Sequence, residues 1–195
     1  MIRRQLLRAC TATTIAIAVG SITGCASPQV TDYAGEKPVL DLRRYLNGTL
    51  DAHGVFTDRS GAVVKRFTVT MVGTWRGDEG TLDEDFIYSD GTRQKRIWQL
   101  KRTGPGTYEG RADDVVGVAT GRESGNAFHW TYTMALPVDG RVINVQFDDW
   151  MYLVDERVML NKVRMSKFGV TLGDVTLPIF TALSTGQPFG SGGTL

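Results

Sequence analysis

The fold is decided by two stretches of alternating side chains, FTVTMVGTW at residues 67–75 and FHWTYTMAL at residues 128–136. In each stretch a larger, mostly apolar residue alternates with a smaller or more polar one. Because successive side chains of a β-strand point to opposite faces of the sheet, a period of two predicts strands with one apolar face. We therefore expect a protein built on β-structure.

Short turn sequences separate further β-rich runs on either side of these two stretches. The turns are Arg59-Ser60-Gly61, Asp90-Gly91, Gly104-Pro105-Gly106, Ser124-Gly125-Asn126 and Asp139-Gly140. Gaps this short join neighbouring antiparallel strands. The predicted strands are 49–57, 63–76, 80–89, 93–102, 107–113, 115–121, 127–136, 141–153, 157–168 and 170–180.

An up-and-down run of eight to ten strands, without a second helical layer, removes its edges most simply by closing into a barrel. We predict one short N-terminal helix at residues 38–47, where Pro38 begins the first turn and Val39, Leu42 and Leu46 lie on one face. The fold class is therefore an all-β, antiparallel, up-and-down barrel. Such a barrel is either filled by side chains or hollow enough for a small ligand, and the sequence leaves both possibilities open.

The hydrophobic phase changes within the predicted strand 141–153. Ile143, Val145 and Phe147 are apolar at odd positions, whereas Trp150 and Tyr152 are apolar at even positions. A one-residue bulge reverses the faces of the residues that follow it. We predict such a bulge near residues 148–149.

The N-terminus has the three parts of an export signal: a basic start at residues 1–8, an uncharged stretch at 9–24, and Cys25. Ile22-Thr23-Gly24-Cys25 resembles a bacterial lipobox, which predicts cleavage before Cys25 and acylation of its sulfur. Ala26 and Ser27 favour the outer membrane, on its periplasmic face. An ordinary signal-peptidase site is the alternative, and Arg3-Arg4 leaves open the twin-arginine or the general secretion route.

Four segments follow from these patterns: a signal peptide at 1–24, a lipidated tether at 25–37, a barrel domain at 38–182 and a loose, glycine-rich tail at 183–195. The chain of 195 residues carries 22 basic and 21 acidic side chains, and removing the signal peptide leaves 19 against 21. A surface this close to neutral argues against a nucleic-acid partner. The expected partners are a membrane, through the acyl chains, and an apolar small molecule or lipid.

Several blocks in order resemble the bacterial lipoprotein family known as domain of unknown function 3833, over roughly residues 32–178. The blocks are VLDL (39–42), NGTL (47–50), GTLDEDF (80–86), YSDGT (88–92), ADDVVG (112–117), FDDWM (147–151) and MSKFG (165–169). The resemblance implies a compact, lipocalin-like domain outside the cytoplasm. It brings no catalytic or ligand-binding residues with it.

The aromatic and aliphatic rows are the candidate ligand-binding site, because ligand pockets are mostly apolar. The residues predicted to line it are Phe67, Val69, Met71, Trp75, Trp98, Phe128, Trp130, Tyr132, Met134, Val145, Phe147 and Trp150. The acyl chain of a carried lipid would suit these rows. The same rows would also fill a closed core.

Catalytic chemistry has weaker support. The acidic clusters 83–85, 113–114 and 148–149 suggest an enzyme acting on lipid or glycan as an alternative, with Asp85, Asp114 and Asp149 as its test positions. Adjacent acids on a strand point to opposite faces, however, and His53 and His129 have no second metal ligand at a diagnostic spacing. We predict no cofactor, no metal and no catalytic residue, and a structural role in the envelope is the third alternative.

Two basic stretches could contact lipid phosphates, at residues 93–102 around Trp98 and at residues 162–167. A solvated outer barrel face, balanced by the acidic clusters, is the alternative that we favour.

Overall fold

A computed structural model of the protein describes residues 27–138 and 140–181. Ten β-strands account for most of these residues. They are β1 (Gly48–Asp58), β2 (Val63–Arg76), β3 (Glu79–Tyr88), β4 (Arg93–Gly104), β5 (Thr107–Arg111), β6 (Ala119–Ser124), β7 (Ala127–Val138), β8 (Arg141–Leu153), β9 (Val158–Lys167) and β10 (Val170–Thr181). Nine of the predicted strands agree with these bounds to within two residues. The prediction for β6 began four residues too early, because residues 112–118 form a loop whose only strand-like contact is a bridge from Val115 to Met134.

The strands form one closed antiparallel barrel. Each strand pairs with the next along the chain, and β1 pairs with β10 to complete the circle. The backbone groups of the first and last strands therefore satisfy each other, and no open sheet edge remains among them. The predicted fold class, an all-β up-and-down barrel, is confirmed.

One end of the barrel, which we call the plugged end, is closed by the helix α1 (Leu42–Tyr45). Leu42 and Leu46 are buried there, and the hydroxyl of Tyr45 donates to the carbonyl of Ile179 at 2.8 Å. The helix is shorter than predicted and does not begin at Pro38. The carboxylate of Asp41 accepts hydrogen bonds from the backbone N–H groups of Arg43 and Arg44, and it caps the helix immediately before Leu42.

The segment before the helix also belongs to the folded domain. Residues 30–33 form a 3₁₀-helix with Val30 buried, and the ring of Tyr33 lies 5.4 Å from that of Tyr152. The backbone of Leu40 then donates to Gly125 in the turn between β6 and β7, at the plugged end. The prediction of a tether over 25–37 is therefore wrong for residues 30–37, because Val30 and Tyr33 supply apolar contacts that anchor this segment.

Strand β8 has no bulge. Its pairing with β7 keeps one register from Ala127 and Tyr152 at the plugged end to Val138 and Arg141 at the other. The odd positions of β8 point inward throughout, which places Asp149 inside the barrel and Trp150 outside it. The predicted bulge at 148–149 is wrong, because one polar residue occupies an inward position without changing the register.

The predicted signal peptide at 1–24, Cys25 and the predicted tail at 183–195 lie outside the described residues. Within the described residues, no helix combines the length and the apolar character needed to cross a membrane.

Candidate functional site

The barrel encloses a cavity of about 980 Å³, near the upper end of the roughly 300–1,000 Å³ found for ligand pockets. At the plugged end its wall is formed by the buried residues Leu42 and Leu46. At the opposite end it reaches Thr92, Arg93 and Val138, which are exposed around the turns. We call this second end the mouth. The barrel is therefore hollow rather than filled, which decides the alternative that the sequence left open.

Ten of the twelve residues predicted to line a ligand site do line this cavity. They are Phe67, Val69, Met71, Trp98, Phe128, Trp130, Tyr132, Met134, Val145 and Phe147. The period-two pattern of β2, β4, β7 and β8 places them on the inner face. Their rings pack against each other along the wall, with 4.7 Å between the centroids of Trp98 and Trp130.

The other two predicted residues do not reach the cavity. Trp75 points inward but lies at the plugged end, where its indole N–H donates to the carbonyl of Leu46 at 3.2 Å. Trp150 lies on the outer face, and its ring stacks on His129 with the centroids 4.1 Å apart. The inward placement predicted for Trp150 is wrong because the expected bulge does not exist.

A group of charged side chains lies on the cavity wall among these apolar residues. Arg96 of β4 binds Asp114 through two guanidinium nitrogens, at 3.0 Å from Nε and 2.9 Å from Nη2. Its Nη1 lies 3.5 Å from Oε2 of Glu84 on β3. We call these three residues the charged cluster. The prediction of a solvated outer face is wrong for Arg96, which is mostly buried.

The carboxylate of Glu84, in the charged cluster, is only partly satisfied by hydrogen bonds. Its Oε2 accepts no hydrogen bond from any described residue, although the atom is buried. Burial raises the pKa of the Glu84 carboxyl from 4.5 to about 7, against the opposing attraction of Arg96 and a hydrogen bond from the indole of Trp98. Burial in low dielectric disfavours the charged form of an acid, so Glu84 is poised between its two forms near neutral pH.

Asp149 is held very differently on the facing wall. Its Oδ2 accepts hydrogen bonds from the indole of Trp130 at 2.8 Å and the hydroxyl of Tyr132 at 3.0 Å, and its Oδ1 accepts one from Asn161. Burial raises the pKa of the Asp149 carboxyl to about 6, and these three donors oppose the rise. Asp149 therefore braces strands β7, β8 and β9 against each other.

Sequence reasoning missed Glu84, Arg96 and Asn161 as cavity residues. Glu84 carries a usable signal, because it lies between Leu82 and Phe86 on the apolar side of an alternating strand. Arg96 likewise shares a face with Trp98. Grouping these two residues with their charged neighbours along the chain hides the face to which they belong.

The acidic pairs are split between the two faces, as the alternation predicted. Asp114 and Asp149 point inward, whereas Asp83 and Asp85 lie outside, where Lys95 approaches their carboxylates at 2.6 and 3.3 Å. His129 is likewise outside, with Nε2 2.6 Å from Asp148. No group of three potential metal ligands occurs within 27–138 and 140–181.

The rim of the mouth carries exposed apolar side chains. Phe168 is 90% exposed at the tip of the turn between β9 and β10, and Val142 at the start of β8 is 71% exposed. The backbone of Phe168 has a φ of 52°, in the left-handed region that residues other than glycine rarely adopt. Charged residues are interspersed here, with Lys65 bound to Asp90 at 2.9 Å.

The family model for a protein of unknown function (DUF3833) matches residues 19–181. This range covers the whole described barrel and most of the chain. The chain belongs to this family. No curated protein sequence matches it significantly.

Solved structures include barrels similar to this family member. The structure of the S-type phycobiliprotein lyase CPES from Guillardia theta has a TM-score of 0.56 at 6% identity, covering 81% of this chain and 100% of the lyase. A de novo designed fluorescence-activating β-barrel has a TM-score of 0.40 at 12% identity, covering 73% of this chain and 99% of the design. At such low identity the lyase shows a shared fold alone.

Proposed function

We propose that this protein binds an apolar or amphipathic small molecule, such as a lipid, inside its barrel, and that it works as a lipoprotein at the periplasmic face of the outer membrane. The observation that carries the binding function is the cavity of about 980 Å³ with its aromatic wall. An interior built only for stability would be close-packed, with few voids larger than a water molecule. The sequence of Ile22-Thr23-Gly24-Cys25 supports the anchor.

The binding function is tested with the mature chain carrying Cys25→Ser, which needs no detergent that would compete for the cavity. We expect organic extraction and mass spectrometry to find a co-purified apolar molecule, or the empty protein to bind a neutral fluorescent probe. Trp98 and Trp130 line the cavity, so their emission reports its occupancy. Protein that is always empty and binds no probe would refute this function.

A pair of variants separates the cavity from the rest of the barrel. Val145→Phe places a ring in the cavity wall, whereas Val142→Phe places the same ring on the same strand, at an exposed position of the rim. We expect the first variant to lose probe binding and the second to keep it. Equal affinities for both variants would show that the probe binds elsewhere.

The anchor needs its own experiment. Labelling of cells with a radioactive or clickable palmitate is expected to mark the wild-type protein, and fractionation is expected to recover it with the outer membrane. Cys25→Ser should remove the label and release the protein. A wild-type protein that stays unlabelled and soluble would refute the anchoring proposal without affecting the binding function.

An acid–base enzyme is the second candidate, favoured by the raised pKa values of Glu84 and Asp149 in the same cavity. Loss of turnover in Glu84→Gln, with ligand affinity kept, would support it. The hydrogen bonds of Asp149 argue against a free role for that carboxyl, which is why we rank binding first.

A further inference from the structure

The interior of the cavity is acidic. Apart from tyrosines, and from Lys65 and Arg93 at the mouth, the ionisable side chains that line it are Glu84, Arg96, Asp114 and Asp149. Three carboxyls therefore face one guanidinium. A buried anion needs a cation or hydrogen-bond donors around it, so the identity of these groups limits what a ligand can carry into the barrel.

Arg96 is already paired with carboxylates of the protein. Two of its nitrogens bind Asp114, the third lies near Glu84, and its guanidinium lies 5.3 Å from the ring centre of Phe86. A ligand carboxylate would have to share this single guanidinium with Asp114 and Glu84, or displace Asp114 from its two-point ion pair. Leaving one partner of a buried ion pair without the other is strongly unfavourable.

Glu84 is the carboxyl that can accept a new partner. Both oxygens of Asp149 already accept hydrogen bonds, and both oxygens of Asp114 are engaged by Arg96. Glu84 lines the cavity, and its buried Oε2, which lies 3.5 Å from Nη1 of Arg96, accepts no hydrogen bond from the described residues. A buried acceptor without a donor is costly, and a ligand that supplies the donor would remove that cost.

We propose that the cavity selects an amphiphile whose polar group is a hydrogen-bond donor, a protonated amine in preference to a hydroxyl, which binds Glu84, and that it rejects a carboxylate. This inference rests on the proposed ligand-binding function and goes further by naming the class of head group. The apolar part of the ligand lies along the aromatic wall, and its head group lies beside the charged cluster.

The charge state of Glu84 adds a pH signature. Burial raises its pKa to about 7, so Glu84 becomes a stronger acceptor as the pH passes through neutrality. The charged or titratable groups that face it are Arg96 on β4, Asp114 in the 112–118 loop, Asp149 on β8, Tyr132 on β7 and Tyr88 on its own strand. An alkyl amine stays protonated and a carboxylate stays ionised between about pH 6 and 8, so a change in their relative affinity reports on the cavity.

The test uses three ligands with the same chain and different head groups: dodecylamine, dodecanol and dodecanoate. Each displaces a neutral fluorescent probe from the Cys25→Ser chain at pH 8 and again at pH 6. We expect dodecylamine to bind most tightly and dodecanoate most weakly, and the advantage of the amine to grow from pH 6 to pH 8. Glu84→Gln should reduce that advantage by roughly tenfold or more and flatten its pH dependence.

The control is Asp85→Asn, which removes one negative charge from the adjacent, outward position of the same strand. It should leave the order of the three ligands unchanged. An equal effect of both variants would overturn the proposal, because it would point to overall charge instead of the cavity. Circular dichroism and probe affinity establish that Glu84→Gln is folded and still binds.

An anionic ligand offers the opposing outcome. If dodecanoate binds as tightly as the amine, and Arg93→Ala weakens it, then a carboxylate head group rests at the mouth and the proposal is wrong, although ligand binding itself stands. If the probe and all three ligands fail to bind, both the proposed function and this inference fail.

Discussion

Replacement of Glu84 by Gln should stabilise the protein, and more so at alkaline pH. Glutamine has nearly the shape of a protonated glutamate but cannot ionise. In the folded state burial raises the pKa of Glu84 from 4.5 to about 7. When a carboxyl has a higher pKa in the folded state than in the unfolded state, the protein loses stability as the pH rises from the unfolded-state pKa to the folded-state pKa. The loss is complete above the folded-state pKa.

The size of the effect follows from those two pKa values. The ionisation of Glu84 lowers the free energy of unfolding by about 3 kcal/mol at pH 8 and by about 1 kcal/mol at pH 5. The attraction of Arg96 is already contained in the raised pKa, so no separate correction for the ion pair is needed. The gain in stability on substitution should therefore be about 2 kcal/mol larger at pH 8 than at pH 5.

Urea unfolding at a series of pH values measures this difference directly. Asp85→Asn is the matched control, because it removes an exposed carboxylate from the outer face of the same strand. If the curves of the wild type and Glu84→Gln stay parallel from pH 5 to pH 8, then Glu84 is not a strained acid in the cavity, and the electrostatic argument for ligand selection is lost as well.

Three further substitutions test the packing. Gly125→Ala places a Cβ against the carbonyl of Tyr33, whereas Gly91→Ala, also at a positive φ, places its Cβ in open space. Hydrogen exchange should rise at residues 30–36 in the first variant alone, and equal exchange in both would contradict the docking of that segment. Phe168→Asn relieves a left-handed φ and should raise stability by about 1 kcal/mol in thermal unfolding; a lower melting temperature would instead show that Phe168 makes a stabilising contact. Phe128→Ala, at a buried wall position, should lower the free energy of unfolding by about 3–5 kcal/mol, and a loss below about 1 kcal/mol in urea would mean that the wall is loosely packed.

The sequence was sufficient for the strands because their signal is local. The alternation at 67–75 and 128–136 and the glycine-containing turns depend on residues within a few positions of each other, and the order of strands follows from the short turns. The helix was predicted too long for a related reason. Its apolar spacing continues past Asp41 in both directions, while the capping carboxylate decides where it begins.

The polar part of the site depends on contacts that are distant in the chain. Asp149 is stabilised inside the barrel by Trp130 and Asn161, which lie on the two neighbouring strands. Without those partners an inward aspartate looks improbable, and a bulge is the simpler prediction. Trp150 was misplaced for the same reason, since the unbroken register of β8 turns it outward, where its ring stacks on His129 of β7. The volume of the cavity depends on how all ten strands close, which no local pattern records.

The plugged end and the mouth lie at opposite ends of the barrel, and the chain enters the barrel at the plugged end. If Cys25 carries the anchor, only four residues separate it from Val30, and the five residue steps between them span about 17 Å of fully extended backbone. Such a short linker would hold the plugged end close to the leaflet that contains the acyl chains. The mouth would then face away from that leaflet, towards the periplasm. The ligand would then enter and leave the cavity from the periplasmic side, and not directly from the leaflet that holds the acyl chains.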